Sequence, residues 1–234
     1  MKSIGYLVTV FNEHKTVRQS IQQVLDINYP NKKILVIDNG STDGSQDIIR
    51  SFNKKNIKYI LRDKNKGFGK TIQEGLNLLD TDYIFIQYSD LEYDHLRSLD
   101  MMNYAVKNNL DVVLGSRLLQ ENIIKKSLFQ KIKIKPSYIA TILCTYLINK
   151  FYDKNFTDII GGKLYKKSSV IKIPINSFSY GFDFEFISRI IKSELKVGEI
   201  SINYKPRANS SEKKIKPYHM INALFEIFKV KFFN

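Results

Sequence analysis

Asp90, Glu92 and Asp94 stand at alternate positions in Ser89-Asp90-Leu91-Glu92-Tyr93-Asp94, directly after a strand-like apolar run. Hard oxygen donors two residues apart suit Mg2+ or Mn2+; a solvated acidic loop reads the same way. Three more polar clusters also follow apolar runs: Asn12-Glu13, Asp38-Asn39-Gly40-Ser41-Thr42-Asp43-Gly44-Ser45, and Asn65-Lys66-Gly67-Phe68-Gly69-Lys70. The second reads equally as a turn and helix cap, with Asp43 or Ser45 accepting bonds from free N–H groups. Lys64 to Thr71 ends like a phosphate-cradling loop, but that motif requires glycine where Lys64 stands and follows the first strand of its fold. His14, His95 and His219 lack zinc-ligand spacing, and Cys144 sits in an apolar helix-like run that reads as core.

These clusters act together only if a scaffold brings them to one rim. Ser3 to Val10, Lys33 to Asp38, Ile57 to Leu61, Tyr83 to Gln87 and Asp111 to Ser116 are short, apolar and bounded by polar turns, as strands are. Thr16 to Asp26 and Lys70 to Leu79 carry apolar residues at helical spacing between them. The pattern predicts an α/β fold with a mostly parallel sheet flanked by helices. Open sheets of that kind bind ligands beyond the carboxyl ends of their strands, where all four clusters fall.

Past Arg117, the stretch 118–150 mixes Lys125, Lys126, Lys131, Lys133 and Lys135 with isoleucines, a basic amphipathic pattern. Phe182 to Ile191 then reads as a helix and Val197 to Tyr204 as a strand. Pro217 to Phe233 reads as a C-terminal helix opened by proline. The stripe Ile221, Leu224, Phe225, Phe228, Phe232 has the spacing of core packing; beside Lys229 and Lys231 it also suits an interface.

A chain of 234 residues with 43% hydrophobic and 26% charged residues is too apolar for general disorder and long enough for a substantial core. Its single cysteine excludes an internal disulfide and makes a reducing compartment the default. The net charge of +14 favours a polyanionic partner: nucleic acid, an anionic bilayer surface or a phosphorylated substrate. No recognition motif accompanies it, so nucleic acid explains the charge and nothing else. Ser3 to Phe11 reads as a first strand of mature protein rather than a signal segment. Tyr138 to Ile148 falls short of the ~20 residues that span a bilayer, so no membrane crossing is expected.

Taken in order, the pieces resemble a family 2 glycosyltransferase of the GT-A fold, in its dolichyl-phosphate mannose synthase-like branch. The residues carrying the resemblance are Thr9-Val10-Phe11-Asn12-Glu13, Val36 to Asp43, Asn65 to Gly69, Asp90 to Asp94, Gly115-Ser116-Arg117, Thr157-Asp158, and Tyr204-Lys205-Pro206-Arg207 followed by Glu212-Lys213-Lys214-Ile215. The last two separate the lipid-phosphate branch from generic family 2 enzymes.

The resemblance implies that Thr9, Phe11, Glu13, Asp38, Tyr88 and Ser89 line the nucleotide-sugar pocket and that Asp90 and Glu92 hold Mg2+ or Mn2+. Arg117, Arg207 and Lys213, with Asp90, form its catalytic set by gripping phosphates and the metal. It implies one domain over residues 1–234, with 1–117 serving the nucleotide-sugar and metal and 118–234 the acceptor and membrane. The implied reaction moves a hexose, mannose or glucose, from a GDP- or UDP-sugar to a polyprenyl or dolichyl phosphate, with inversion. It takes place on the cytoplasmic face of a membrane, where the protein is peripheral, with or without a separate membrane-spanning subunit. The chain departs from the family where Tyr88-Ser89-Asp90 replaces Asp-Ala-Asp and where Gly161-Gly162-Lys163 replaces Gly-Phe-Arg with one residue fewer. Two other readings stand beside this one: transfer to a hydroxyl acceptor, with Asp158 or Asp183 as general base, and a catalytically impaired relative lacking the first metal carboxylate.

Overall fold

A computed structural model describes residues 1–53, 55, 57–119, 136–178, 181–205 and 219–233. Its described strands are β1 (Ile4–Val10), β2 (Lys32–Asp38), β3 (Lys58–Leu61), β4 (Tyr83–Tyr88), β5 (Val112–Ser116), β6 (Gly162–Lys166) and β7 (Val197–Ser201). They form one sheet in the order β3-β2-β1-β4-β6-β5-β7. Every pairing is parallel except those of β6, which runs antiparallel between β4 and β5. The first five expected strands form over nearly the expected residues, whereas the strand expected over Val197 to Tyr204 ends at Ser201.

Alternation along the strands builds two cores. Tyr6, Val8, Val36, Phe85 and Val113 face helices α1 (Val17–Leu25), α2 (Ser45–Arg50) and α4 (Arg97–Lys107). Leu7, Leu35, Ile37, Ile84 and Leu114 face the opposite layer, with α3 (Phe68–Leu78), α5 (Pro136–Tyr152), α7 (Phe182–Lys192) and α8 (His219–Phe233); α6 (Lys167–Val170) is a short turn after β6. Burying apolar residues on both faces of a sheet at about 1.5–3 kcal/mol per large side chain is what fixes its register. Cys144 is fully buried in the second core, as expected, and burial pushes its thiol up to about 11.

The stripe on α8 departs from its core-packing reading. Ala223, Ile227 and Val230 are the buried residues, while Phe225 and Phe232 are each 62% exposed. The helix is apolar nearly all round, so sequence spacing alone could not say which side meets the sheet layer.

Gly67 opens α3 with a φ of 88°, a region an L side chain rarely adopts. A Cβ there would stand 2.0 Å from the carbonyl oxygen of Phe178, which also accepts the Gly69 N–H at 3.3 Å. Gly67→Ala is therefore expected to destabilise the fold by about 1–3 kcal/mol, read as a lower denaturant midpoint at unchanged slope.

Candidate active site

The chain runs outward from β1 to β2 and β3, then returns to β4 on the other side of β1. A crevice at such a reversal is where open sheets bind ligands. It brings Thr9 opposite Tyr88 and Val10 opposite Asp38, so three of the four polar clusters leave the sheet side by side. Ser89 Oγ ties the two central strands by donating to the Thr9 carbonyl at 2.6 Å.

The loops after β1 and β2 are sewn together. Asn12, at a φ of 52°, donates its N–H to Ser41 Oγ at 2.8 Å and accepts from the Thr42 N–H at 2.8 Å. The Glu13 N–H reaches Ser45 Oγ at 2.9 Å, and Thr16 Oγ1 donates to the Glu13 carboxylate at 3.1 Å, at the start of α1. Asp38 is fully buried and accepts from the N–H groups of Gly40 and Ser41 at 3.0 and 2.9 Å, from the Ser41 hydroxyl, and from Gln46 Nε2 at 2.7 Å. Asp43, one residue before the Gly44 N-cap of α2, accepts from Ser45 N–H at 3.0 Å and His14 N–H at 2.9 Å. Burial alone would raise its carboxyl, yet these bonds outweigh it and hold it below the usual range.

At the end of β4, Leu91 has a φ of 60°, a strained conformation for a branched side chain. That turn lets the Glu92 N–H donate to Asp90 Oδ1 at 3.1 Å and sets both carboxylates in one loop. Tyr204 Oη donates to Glu92 Oε2 at 2.9 Å, and the Lys205 N–H donates to the Glu92 carbonyl at 2.8 Å, so the segment after β7 is laced to this loop. Among the described residues no three His, Cys, Asp or Glu side chains gather as a ligand cluster. Mg2+ and Mn2+ are commonly bound by one or two carboxylates with phosphate oxygens and water completing the shell, so Asp90 and Glu92 fit an ion that arrives with a diphosphate.

Tyr88 and Arg117 have partners that their spacing did not announce. The Tyr88 ring stacks on Phe68 at 5.8 Å and tilts against Tyr93 at 5.3 Å; Tyr93 in turn meets Tyr204 at 5.4 Å. Burial, with Asp183 and Asp90 nearby, pushes the Tyr88 phenol well above its ordinary range. Arg117 grips Asp158 with two prongs, Nε to Oδ2 at 2.5 Å and Nη2 to Oδ1 at 2.9 Å, and lies over the Tyr204 ring at 5.3 Å. Burial would raise the Asp158 carboxyl, but the Arg117 charge and its hydrogen bonds hold it below the usual range. Asp158 is thus bound into an ion pair, which removes it as a ready base. Asp183, in the first turn of α7, remains at the rim with Lys163 of β6 2.9 Å away. The one local sign of this pair was a lysine inside the apolar strand Gly162–Lys166. Arg207, Lys213 and the lysines at 125, 126, 131, 133 and 135 lie outside the described residues.

The glycosyl transferase family 2 model matches residues 6–173. Among curated proteins, poly-beta-1,6-N-acetyl-D-glucosamine synthase of Staphylococcus epidermidis is 28% identical over 146 residues, 62% of this chain and 34% of that protein. The enzyme of the same name from Staphylococcus aureus (strain COL) is 25% identical over 182 residues, 74% of this chain and 42% of that protein. The chain therefore spans well under half the length of these relatives. Glucosyl-3-phosphoglycerate synthase from Mycobacterium tuberculosis, solved with Mn2+, uridine diphosphate and phosphoglyceric acid, superposes with a TM-score of 0.72 at 11% identity, covering 100% of this chain and 80% of that one. Its complex with Mg2+ and uridine diphosphate gives 0.68 at 11% identity, with coverages of 98% and 79%. At that identity the likeness establishes the GT-A architecture and nothing finer. The rim built by β1, β2 and β4, on a chain whose residues 6–173 match the family model, places this protein among the family 2 glycosyltransferases.

Proposed function

We propose that this glycosyltransferase moves a hexose from a UDP- or GDP-sugar to a polyprenyl phosphate at a membrane surface, as in the dolichyl-phosphate mannose synthase-like branch. The observation that carries the acceptor reading is the exposed apolar face of α5 and α8, which no other described element covers. Ile142 and Tyr146 on one helix, and Ile221, Phe225 and Phe232 on the other, are exposed beside Lys229 and Lys231. α8 also leans on the start of α7: a Cβ at Gly181 would touch Glu226. A lipid lying on that face would have its headgroup near Asp183 and the rim. No described helix is long and apolar enough to cross a membrane, so contact with the surface is the role left to this face in our reading.

In this reading Thr9, Phe11, Glu13, Asp38, Tyr88 and Ser89 line the nucleotide-sugar pocket, with Asp38 and its loop bonds shaping the nucleoside end. Asp90 and Glu92 hold Mg2+ or Mn2+, which when bound neutralises the diphosphate leaving group as a Lewis acid. Arg207 and Lys213 bind phosphate, and Arg117 keeps its own loop in place through Asp158. The acceptor oxygen bonds to the anomeric carbon as the bond to the diphosphate breaks and its electron pair leaves with the nucleotide. A phosphate acceptor is already anionic and needs no protein base. Residues 1–117 serve the donor and 118–234 the acceptor, on the cytoplasmic face of the membrane.

A second reading, transfer to a hydroxyl, is favoured by Asp183, which stands at the rim where a base would take the acceptor proton. The relatives named for a glucosamine polymer point the same way. Transfer from radiolabelled nucleotide-sugars to polyprenyl phosphate or to glycan acceptors, with Mn2+ and with chelator, separates the two. Lipid-linked product supports the first; product on the glycan alone overturns it. Sedimentation with liposomes tests the membrane face: Phe225→Asp with Phe232→Asp is expected to abolish pelleting at low salt. The wild type should release from anionic vesicles as salt rises, since each lysine near such a surface contributes about 1 kcal/mol.

A further inference from the structure

Lys163 and Asp183 form a charge pair that transfer to a phosphate acceptor, as set out above, does not use. Lys163 is 2% exposed at the second position of β6, with Ile86 and Leu114 as its neighbours across the strands. A buried ammonium is costly unless paired and hydrogen-bonded, and an aliphatic residue of similar length packs a strand without that cost. Here Nζ lies 2.9 Å from Asp183 Oδ1 and donates to the carbonyls of Ile160 at 3.1 Å and Gly161 at 3.3 Å and to Tyr88 Oη at 3.4 Å.

Asp183 keeps 20% of its side chain exposed and sits in the first turn of an eleven-residue helix, an end that favours negative charge. Its Oδ1 is buried and, among the described residues, receives no aligned hydrogen bond, so the nearby ammonium is what offsets its charge. Lys163 Nζ reaches both Asp183 Oδ1 and Tyr88 Oη, and Tyr88 ends β4 two residues before Asp90, so Asp183 stands beside the strand end that carries Asp90. A nucleophile attacking beside a diphosphate held at Asp90 comes within reach of Asp183.

We infer that Lys163 determines acceptor specificity: by cancelling the charge of Asp183 at the edge of the site, it lets an acceptor that is itself anionic approach the anomeric carbon. This rests on the polyprenyl phosphate reading of the acceptor. Lys163 does not touch the acceptor; it acts through Asp183. Without the ammonium, an uncompensated carboxylate faces a second anion where little water screens the repulsion.

The test uses the full chain, the donor identified by the acceptor panel, and a short-chain isoprenyl phosphate as probe. Lys163→Met is expected to raise KM for the isoprenyl phosphate about tenfold or more, with kcat and the Kd for Mn2+ and nucleoside diphosphate within about threefold of wild type. Adding Asp183→Asn to Lys163→Met removes both charges and should return KM to within about threefold of wild type, and Lys163→Arg should retain it. A purely structural lysine would lower the melting temperature in both the single and the double variant, with no recovery of KM. If Lys163→Met does not fold, Lys163→Gln carries the same expectation. Wild-type transfer with KM unchanged in Lys163→Met, or no recovery in the double variant, overturns the inference alone. A wild type that glycosylates hydroxyl acceptors only, and loses that activity in Asp183→Asn, overturns the acceptor reading and the inference together.

Discussion

Asp90→Asn is expected to lower turnover at least a thousandfold, about 4 kcal/mol in the barrier, while the melting temperature moves by no more than about 2 °C. The substitution keeps the shape of the side chain and the oxygen that accepts the Glu92 N–H at 3.1 Å, so the strained turn at Leu91 survives. It removes one of the two carboxylate charges in the loop, and Glu92 alone is already engaged by the Tyr204 hydroxyl at 2.9 Å. Binding of Mn2+ together with uridine or guanosine diphosphate, measured by calorimetry, should weaken in parallel with turnover. Turnover near the wild-type value in Asp90→Asn would show that the ion is held elsewhere or is not needed.

Arg117→Ala acts on stability first. Asp158 is fully buried, and removing its two-pronged partner leaves a carboxylate charge with its bonds from the N–H groups of Arg117 and Ile160 at 3.1 and 3.0 Å. Breaking a buried pair from one side costs about 3–5 kcal/mol, which for a chain of this size is roughly 10 °C in melting temperature. The pH dependence should change sign. In the wild type the Asp158 carboxyl lies below its ordinary value, so its contribution is present above the unfolded carboxylate pKa and is lost as pH falls through the folded one. Without Arg117, burial dominates and raises that carboxyl, so the folded state binds the extra proton and the deficit shrinks as pH falls from about 8 to about 5. Arg117→Lys should recover only part of the loss, because an ammonium cannot match both carboxylate oxygens at once. A deficit that is small and flat with pH would mean that Arg117 is held for phosphate binding rather than for Asp158.

Much of the scaffold was legible in the order of residues. Short apolar runs from Ile4 to Ser116, separated by amphipathic segments, specify a parallel sheet because each strand must be covered on both faces. The clusters at Asn12, Asp38 and Asp90 follow those strands directly, so their convergence on one rim followed from topology alone. The loop that sets Asp90 and Glu92 together was legible for the same reason, since the two stand two residues apart in the chain.

Tertiary structure decided what depends on residues far apart. β6 is a five-residue strand whose place between β4 and β5, and whose antiparallel direction, are set by partners more than forty residues away; no local period announces it. That strand delivers Lys163 to Tyr88 and Asp183, so the phenol that reads in sequence only as a lost carboxylate is in fact packed among rings and turned toward an ammonium. The pairing of Arg117 with Asp158, 41 residues on, likewise separated the two candidate bases: one is fully buried in a two-pronged ion pair, and the other, paired with Lys163, keeps part of its side chain exposed. Sequence set the residue types and the first five strands; charge pairing in a low-dielectric interior, which depends on distance in space rather than along the chain, set the roles of the paired side chains.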